Sequence, residues 1–239
     1  MDVCPDSRPA RYSRQSAPLA GLGADQALLA RSSVAVCGAG ALGCAFAVQL
    51  SRMGFGFVRI ADFDTVEEVN LHRQILFDES DCGRPKALAA AEKARLANCG
   101  VAVEVFPARV EDSNFADFAS GADMVLDATD SAPARYMLND RCIGAGIPLV
   151  LTAVAGTSGM VMPVVRGGAD LRRVFPVPPR EDEIENVKTR GVLPPAVLFA
   201  ASLAATVAVK LLAGTQRTDV MYRFDVALGT CRPVAVFKS

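Results

Sequence analysis

The 239-residue chain has no CxxC pair, a single histidine, no surplus of charge of either sign, no internal repeat and no low-complexity stretch. Each shortage removes a class of function. Lys+Arg total 25 against Asp+Glu 26, a formal net charge of -1. The cations form no stripe, so nucleic acid or an anionic membrane surface is not the expected partner. The seven cysteines (Cys4, Cys37, Cys44, Cys82, Cys99, Cys142 and Cys231) are odd in number and scattered. They are expected to be reduced thiols of a cytosolic, cytoplasmic chain. A secretory leader is not expected, because Asp2, Asp6, Arg8, Arg11 and Arg14 stand where its apolar core should be. The one membrane-like run, Val192 to Val209, opens on Pro194 and Pro195 and is interrupted by Ser202 and Thr206. It is expected to be a buried helix rather than a span.

What remains is ordinary globular composition, 51% hydrophobic and 21% charged, enough for a sizeable core. The order along the chain is β then α, repeated. Strands are expected at Ser33 to Cys37, Phe57 to Ala61, Val101 to Phe106, Asp123 to Asp127 and Pro148 to Ala155. Helices are expected at Ala41 to Met53, Arg84 to Asn98 and Pro133 to Ile143. Such alternation predicts an α/β fold: a Rossmann-like, doubly wound, mostly parallel sheet covered on both faces. Residues 166–191 read as a mobile crossover segment, and Val220 to Leu228 with Arg232 to Lys238 as a C-terminal antiparallel extension of the sheet. One domain, 1–239, is expected.

The chemistry begins at Gly38-Ala-Gly40-Ala-Leu-Gly43, a GxGxxG between a strand and a helix. Glycines there let the backbone approach a phosphate while helix N-terminal amides point at it. Asp62, at the end of the second strand, is placed to accept from ribose hydroxyls. An NAD oxidoreductase would share all of this. What separates the two is the charge that follows: Asp64, then Asn70, Arg73 and Gln74, then Lys86 after Gly83. A nicotinamide site needs no such concentration of cations, whereas a triphosphate must be neutralised for attack at phosphorus. The fourth strand ends in Asp127-Ala-Thr-Asp130, so Asp130 should face the same crevice and could hold Mg2+ against phosphate oxygens. His72 and the pair Glu67 and Glu68 read as exposed side chains.

Arg11-Tyr-Ser-Arg14-Gln15, the GxGxxG, the DxD of Asp62 and Asp64, NLxRQ at Asn70 to Gln74, GxxK at Gly83 to Lys86 and DxTD ending at Asp130 together resemble the bacterial E1-like adenylyltransferases of the ThiF/MoeB/HesA family. The resemblance implies ATP-dependent activation of the C-terminal glycine carboxylate of a small ubiquitin-like sulfur-carrier protein, giving an acyl-adenylate and pyrophosphate. It implies that Asp62 holds ribose, Arg73 and Lys86 the phosphates and Asp130 the magnesium, with Asn70 and Gln74 in support. It also implies that Arg14 reaches across a homodimer to the partner's ATP. Two departures matter. Relatives with a structural zinc carry CxxC before a Phe-Pro; here Asp170-Leu-Arg-Arg173 precedes Phe175-Pro176, so no zinc is expected. The segment Arg166 to Arg190 has no cysteine, so the reaction should stop at the adenylate; Cys82, beside Gly83, is the remaining thiol of interest. A tRNA-nucleoside dehydratase of the same superfamily and a non-catalytic nucleotide- or carrier-binding scaffold stay open as alternatives.

Overall fold

The computed structural model describes residues 9–179 and 190–236. Eight strands form one sheet: β1 Ser33–Cys37, β2 Phe57–Ala61, β3 Ala102–Phe106, β4 Met124–Asp127, β5 Leu149–Ala155, β6 Ser158–Val164, β7 Val220–Asp225 and β8 Thr230–Ala235. Their spatial order is β3-β2-β1-β4-β5-β6-β7-β8. The first five run parallel and the last three antiparallel. The chain starts at β1, winds outward through β2 and β3, then returns to lay β4 on the other side of β1. The direction of winding therefore reverses between β1 and β4, and a crevice opens there at the carboxyl ends of the strands.

Three short helices, α1 Pro9–Tyr12, α2 Ser16–Gly21 and α3 Gln26–Arg31, precede β1. One face of the sheet carries α4 Ala41–Met53, α5 Lys86–Ala97 and the long α9 Pro194–Leu212; the other carries α6 Phe115–Ala119, α7 Ala132–Ala145 and the short α8 Leu171–Val174. Val34 to Cys37 of β1 and Met124 to Leu126 of β4 are apolar on both sides, as a doubly covered sheet demands, whereas β2 places the buried Arg59 on one side, paired with Glu104 of β3 at 2.9 Å. By length and composition α9 could cross a bilayer. It instead packs as a core helix: Ala196, Val197, Ala200, Ala201, Ala204, Ala205 and Val207 to Val209 are buried against α4, β5 and β6. Small alanines at this spacing let its backbone lie close to α4 and the sheet.

Four sequence expectations are corrected. The structure adds a strand, Ser158–Val164, that the sequence expectations do not include. It pairs with β5 along seven residue pairs from Leu149↔Val164 to Ala155↔Ser158, closed by the two-residue turn Gly156-Thr157 with Gly156 at φ 60. The crossover 166–191 is not uniformly irregular, because α8 lies inside it; residues 180–189 of that segment fall outside the described residues. The closing strands are shorter than expected, since the Asp225 carboxylate accepts from the Ala227 and Leu228 amides and turns the chain out of β7. Finally, Cys99 is disulfide-bonded, so the thiols are not all reduced. The N-terminal segment lies over that part of the chain: Arg11 and Tyr12 both bond the side chain of Asn98, next to Cys99.

Candidate nucleotide site

The turn between β1 and α4 explains its glycines separately. Gly38 sits at φ 104, and a Cβ on it would come within 2.8 Å of the Ala128 carbonyl oxygen. On Gly43 a Cβ would meet the Gly38 oxygen at 2.0 Å. These two positions fold the turn tightly against β4 and the first turn of α4. Gly40 differs: the nearest atom to its Cβ position is Gln74 Nε2 at 3.9 Å. The space over Gly40, at the N-terminus of the 13-residue α4, is open to the crevice, where an anion would meet backbone N–H groups.

Asp62 closes the turn from β2. The Ala39 N–H donates to its Oδ2 at 2.6 Å and the Asp64 N–H to its Oδ1 at 2.8 Å. Burial pushes this carboxyl above its ordinary range, opposed by the two backbone donors and by Lys86. Asp62 lines the crevice.

Two loops carry the cations. Asn70, buried at the end of a 3-10 turn over Glu68–Asn70, accepts from Arg73 Nη2 at 2.7 Å, which fixes the guanidinium. Lys86 opens α5 immediately after Pro85, and its ammonium lies 3.3 Å from Asp64 Oδ2. The two loops are tied by backbone bonds: Gly83 N–H to the Val66 carbonyl, Val66 N–H to Arg84 and Lys86 N–H to Asp64, at 2.8, 2.9 and 2.9 Å. Buried Asp81 accepts from Arg84 at 2.8 Å and pairs with Lys93. Lys93 also holds the exposed Asp78 carboxyl down to about 2. The GxxK turn is thus anchored on both sides before Lys86 enters the site.

At the end of β4, Asp127 is buried and accepts from the Arg135 Nε at 2.9 Å and from the Thr129 N–H and hydroxyl at 2.9 and 2.7 Å, while Arg135 Nη2 donates to the Thr129 carbonyl at 2.7 Å. This network sets the loop that presents Asp130, which is exposed at the crevice. The Gln74 side-chain oxygen is buried without a partner among the described residues and lines the same space, so its amide keeps hydrogen-bonding capacity for a ligand.

One cavity of about 1070 Å³ is lined by Gly38, Gly40, Asp62, Asp64, Asn70, Arg73, Gln74, Lys86 and Asp130. Of the expected site residues only two stand apart: Gly43 packs beneath the turn, and Arg14 lies outside the cavity of its own chain. Gln15 anchors the segment by donating to Gln26 and to the Met53 carbonyl at 2.6 and 2.8 Å, leaving Arg14 exposed. Three features were not legible beforehand. Arg109 stacks over Phe63, its guanidinium carbon 3.8 Å from the ring centroid, at the β2–β3 end of the cavity. Arg135 acts through Asp127. The cavity also continues past the nucleotide residues over β5, β6 and β7, lined by Ala153, Ala155, Ser158, Met160, Met221 and Arg223. The position of Phe63 inside the DxD was a usable signal; Arg109 had none.

Among the described residues no three His, Cys, Asp or Glu side chains gather to bind a metal. Asp130 is one carboxylate, which suits Mg2+ only where phosphate oxygens and water supply the other ligands. The residues at the zinc position have other partners: Asp170 caps α8 by accepting from the Arg173 N–H at 2.9 Å, and Arg172 pairs with Asp140 at 2.6 Å. Burial pushes the Cys44 and Cys142 thiols up to about 12 and Cys37 well above its ordinary value, so these three stay protonated. Cys82 and Cys231 are exposed, and neither lines the cavity.

The ThiF family model matches residues 12–238. The chain is 40% identical to the SAMP-activating enzyme E1 of Haloferax volcanii over 187 residues, 78% of this chain and 69% of that protein. It is 37% identical to the sulfur carrier protein adenylyltransferase of Thermus thermophilus over 195 residues, 79% of this chain and 72% of that protein. The crystal structure of E. coli MccB with MccA-N7isoASN matches with a TM-score of 0.83 at 21% identity, over 96% of this chain and 73% of that one. At that identity the likeness is one of fold.

Proposed function

This chain belongs to the ThiF family, and from that premise we propose that it is an ATP-dependent adenylyltransferase. Its substrate is the C-terminal glycine carboxylate of a small ubiquitin-like sulfur-carrier protein. The observation that carries the reading is the convergence of Arg73, Lys86 and Asp130 with the open backbone at Gly40 and the half-buried Asp62 around one cavity. Two relatives whose names speak of adenylation or activation, at 37% and 40% identity, support it.

The chemistry follows from the charges. A carboxylate and a triphosphate repel, so they react only where the repulsion is offset and the attacking oxygen is held in line with the α-phosphorus. Asp62 accepts from ribose hydroxyls and fixes the nucleoside. The amides at the start of α4 receive the α-phosphate. Arg73, held by Asn70, and Lys86 neutralise the β- and γ-phosphates, Arg through its fork and Lys as a point charge. The carrier's carboxylate oxygen attacks the α-phosphorus and the bond from that phosphorus to the bridging oxygen breaks. Pyrophosphate leaves with the electron pair, and Arg73 and Lys86 stabilise its growing charge. Asp130 would hold Mg2+, whose chemistry there would be added charge neutralisation at the phosphates. Since each phosphate contact comes from a separate loop, the site is assembled by the β1–β4 switch point rather than by one motif.

In this reading the chain works as a homodimer in the cytoplasm, Arg14 serves the partner's nucleotide, and no zinc is bound. The chain supplies no catalytic cysteine, so sulfur transfer falls to a separate donor. The test is exchange of labelled pyrophosphate into ATP with candidate carrier proteins ending in Gly-Gly. Exchange that depends on the terminal carboxylate supports the reading. Nucleotide binding with no exchange supports a scaffold instead, and NADH binding without ATP binding supports an oxidoreductase. Metal analysis finding about one zinc per chain would remove the zinc statement.

A further inference from the structure

We propose that the part of the sheet face exposed at β7 and β8 docks an acidic segment of the carrier protein, next to its C-terminal tail, through Arg223 and Arg232. The proposal rests on the carrier reading above and adds to it what the carrier must present.

Strand register places the relevant residues in one row. Ala153 lies opposite Met160, Met160 opposite Arg223 and Arg223 opposite Arg232. Directly paired residues project from the same face of a sheet, so all four share one side, the side on which the cavity runs on from the nucleotide residues. With strands about 4.8 Å apart the row measures roughly 14 Å. It is small and apolar beside the nucleotide site and doubly cationic at its outer end. A tail lying extended along it brings its carboxylate toward Gly40 and Asp130 and leaves the body of the carrier over β7 and β8.

The two arginines are neither paired nor shielded. Both are exposed, and neither makes an ion pair or side-chain hydrogen bond with a described residue. The acids of the same hairpin are occupied: Asp219 pairs with Arg217 at 2.7 Å, and Asp225 accepts from the Ala227 and Leu228 amides. Like charges directly opposite one another weaken a strand pair, so within the chain this arrangement is a cost without a return. A carboxylate arriving from outside removes the repulsion and gains two charge-assisted contacts at once. Complementarity of that kind raises the encounter rate and selects among partners more than it tightens any one of them.

The test uses three synthetic twelve-residue peptides, labelled with fluorescein at the N-terminus. All end in the same neutral segment and Gly-Gly, and they differ in whether the upstream half carries glutamates, glutamines or lysines. Fluorescence anisotropy is read with the full chain, without ATP, at two salt concentrations. The glutamate peptide should bind roughly tenfold tighter than the glutamine peptide at low salt, the difference shrinking as salt rises. In the Arg223→Glu, Arg232→Glu double variant the order should invert, with the lysine peptide preferred. The milder Arg223→Gln, Arg232→Gln pair should abolish the preference with a Tm no lower than wild type, since it also removes the repulsion across the strand pair. Equal affinities for the glutamate and glutamine peptides, or a preference that survives the double charge reversal, overturn the proposal. Pyrophosphate exchange with the same peptides reports separately on adenylation. Acid preference without exchange keeps the docking surface and removes the enzyme. Exchange at one common KM with the glutamate and glutamine peptides does the reverse.

Discussion

Lys86 and Asp64 hold each other at 3.3 Å, so the ammonium is oriented before any phosphate arrives, and Asn70 does the same for Arg73 at 2.7 Å. Side chains fixed in advance stabilise a developing charge without reorganising at the moment of reaction. Arg73→Ala and Lys86→Ala should each lower pyrophosphate exchange by roughly 10² to 10³, with circular dichroism and Tm near wild type for Arg73→Ala. Loss of less than about tenfold would remove that residue from the mechanism. Asp62 carries a pH prediction. Burial raises its pKa, so on acidification it takes up a proton earlier than an ordinary carboxylate does, and only the ionised form accepts from both ribose hydroxyls. ATP affinity should therefore fall as pH is lowered, starting above the ordinary carboxylate range, and Asp62→Asn should bind weakly with that dependence removed. Calorimetric titration of both proteins across pH checks it; parallel pH curves would contradict it. Most of these residues were legible in the sequence because each sits at a fixed offset from a strand end. Arg109 was not, since its stacking on Phe63 joins two loops 46 positions apart in the chain, and no local pattern records that.

The β1–α4 turn separates two uses of glycine that look alike in a motif. Gly43→Ala puts a Cβ 2.0 Å from the Gly38 oxygen, so the turn must open: Tm should drop and ATP binding should be lost together. Gly40→Ala meets only Gln74 Nε2 at 3.9 Å. It should keep the wild-type Tm and lose ATP affinity, because the methyl occupies the space of the phosphate. Thermal melts with and without ATP distinguish the pair, and equal Tm losses would show that the open space at Gly40 has no functional meaning. On the same face of the sheet, Ala204 in α9 is fully buried. Ala204→Leu should destabilise by about 1–3 kcal/mol through overpacking, read from denaturant midpoints. The parallel strands and their helices were legible from the alternation of short apolar runs and Ala-rich stretches. Strand β6 was not, because Gly159 and Pro163 are both strand-disfavouring. The register explains both: Gly159 lies where a Cβ would strike Phe224 and the Ala153 oxygen, at 2.6 and 2.3 Å, and Pro163 pairs opposite Val150 near the end of the strand. The Gly156-Thr157 turn between two apolar runs was the signal that could have found the hairpin.

At the scale of the whole molecule the expected site residues other than Gly43 and Arg14 line one cavity, and the N-terminal anchors at Arg11, Tyr12 and Gln15 hold Arg14 outside it. If Arg14 serves the partner's nucleotide, Arg14→Ala and Asp130→Ala should each abolish exchange, while a mixture of the two should regain a measurable fraction, because the mixed dimer holds one intact site. No regain would place Arg14 outside the mechanism. The family resemblance read from the motifs agrees with the family match over residues 12–238. The sequence could not convey the extent of the cavity, which arises only when β5, β6 and β7 lie side by side. Every step of the account requires that the groups gathered at the β1–β4 switch point grip a triphosphate, and a crystal structure of the chain with ATP tests that most directly. The account predicts ribose on Asp62, the α-phosphate over Gly40 at the start of α4, and Arg73 and Lys86 on the outer phosphates. Electron density placing the nucleotide elsewhere, or these side chains turned away from it, would contradict it.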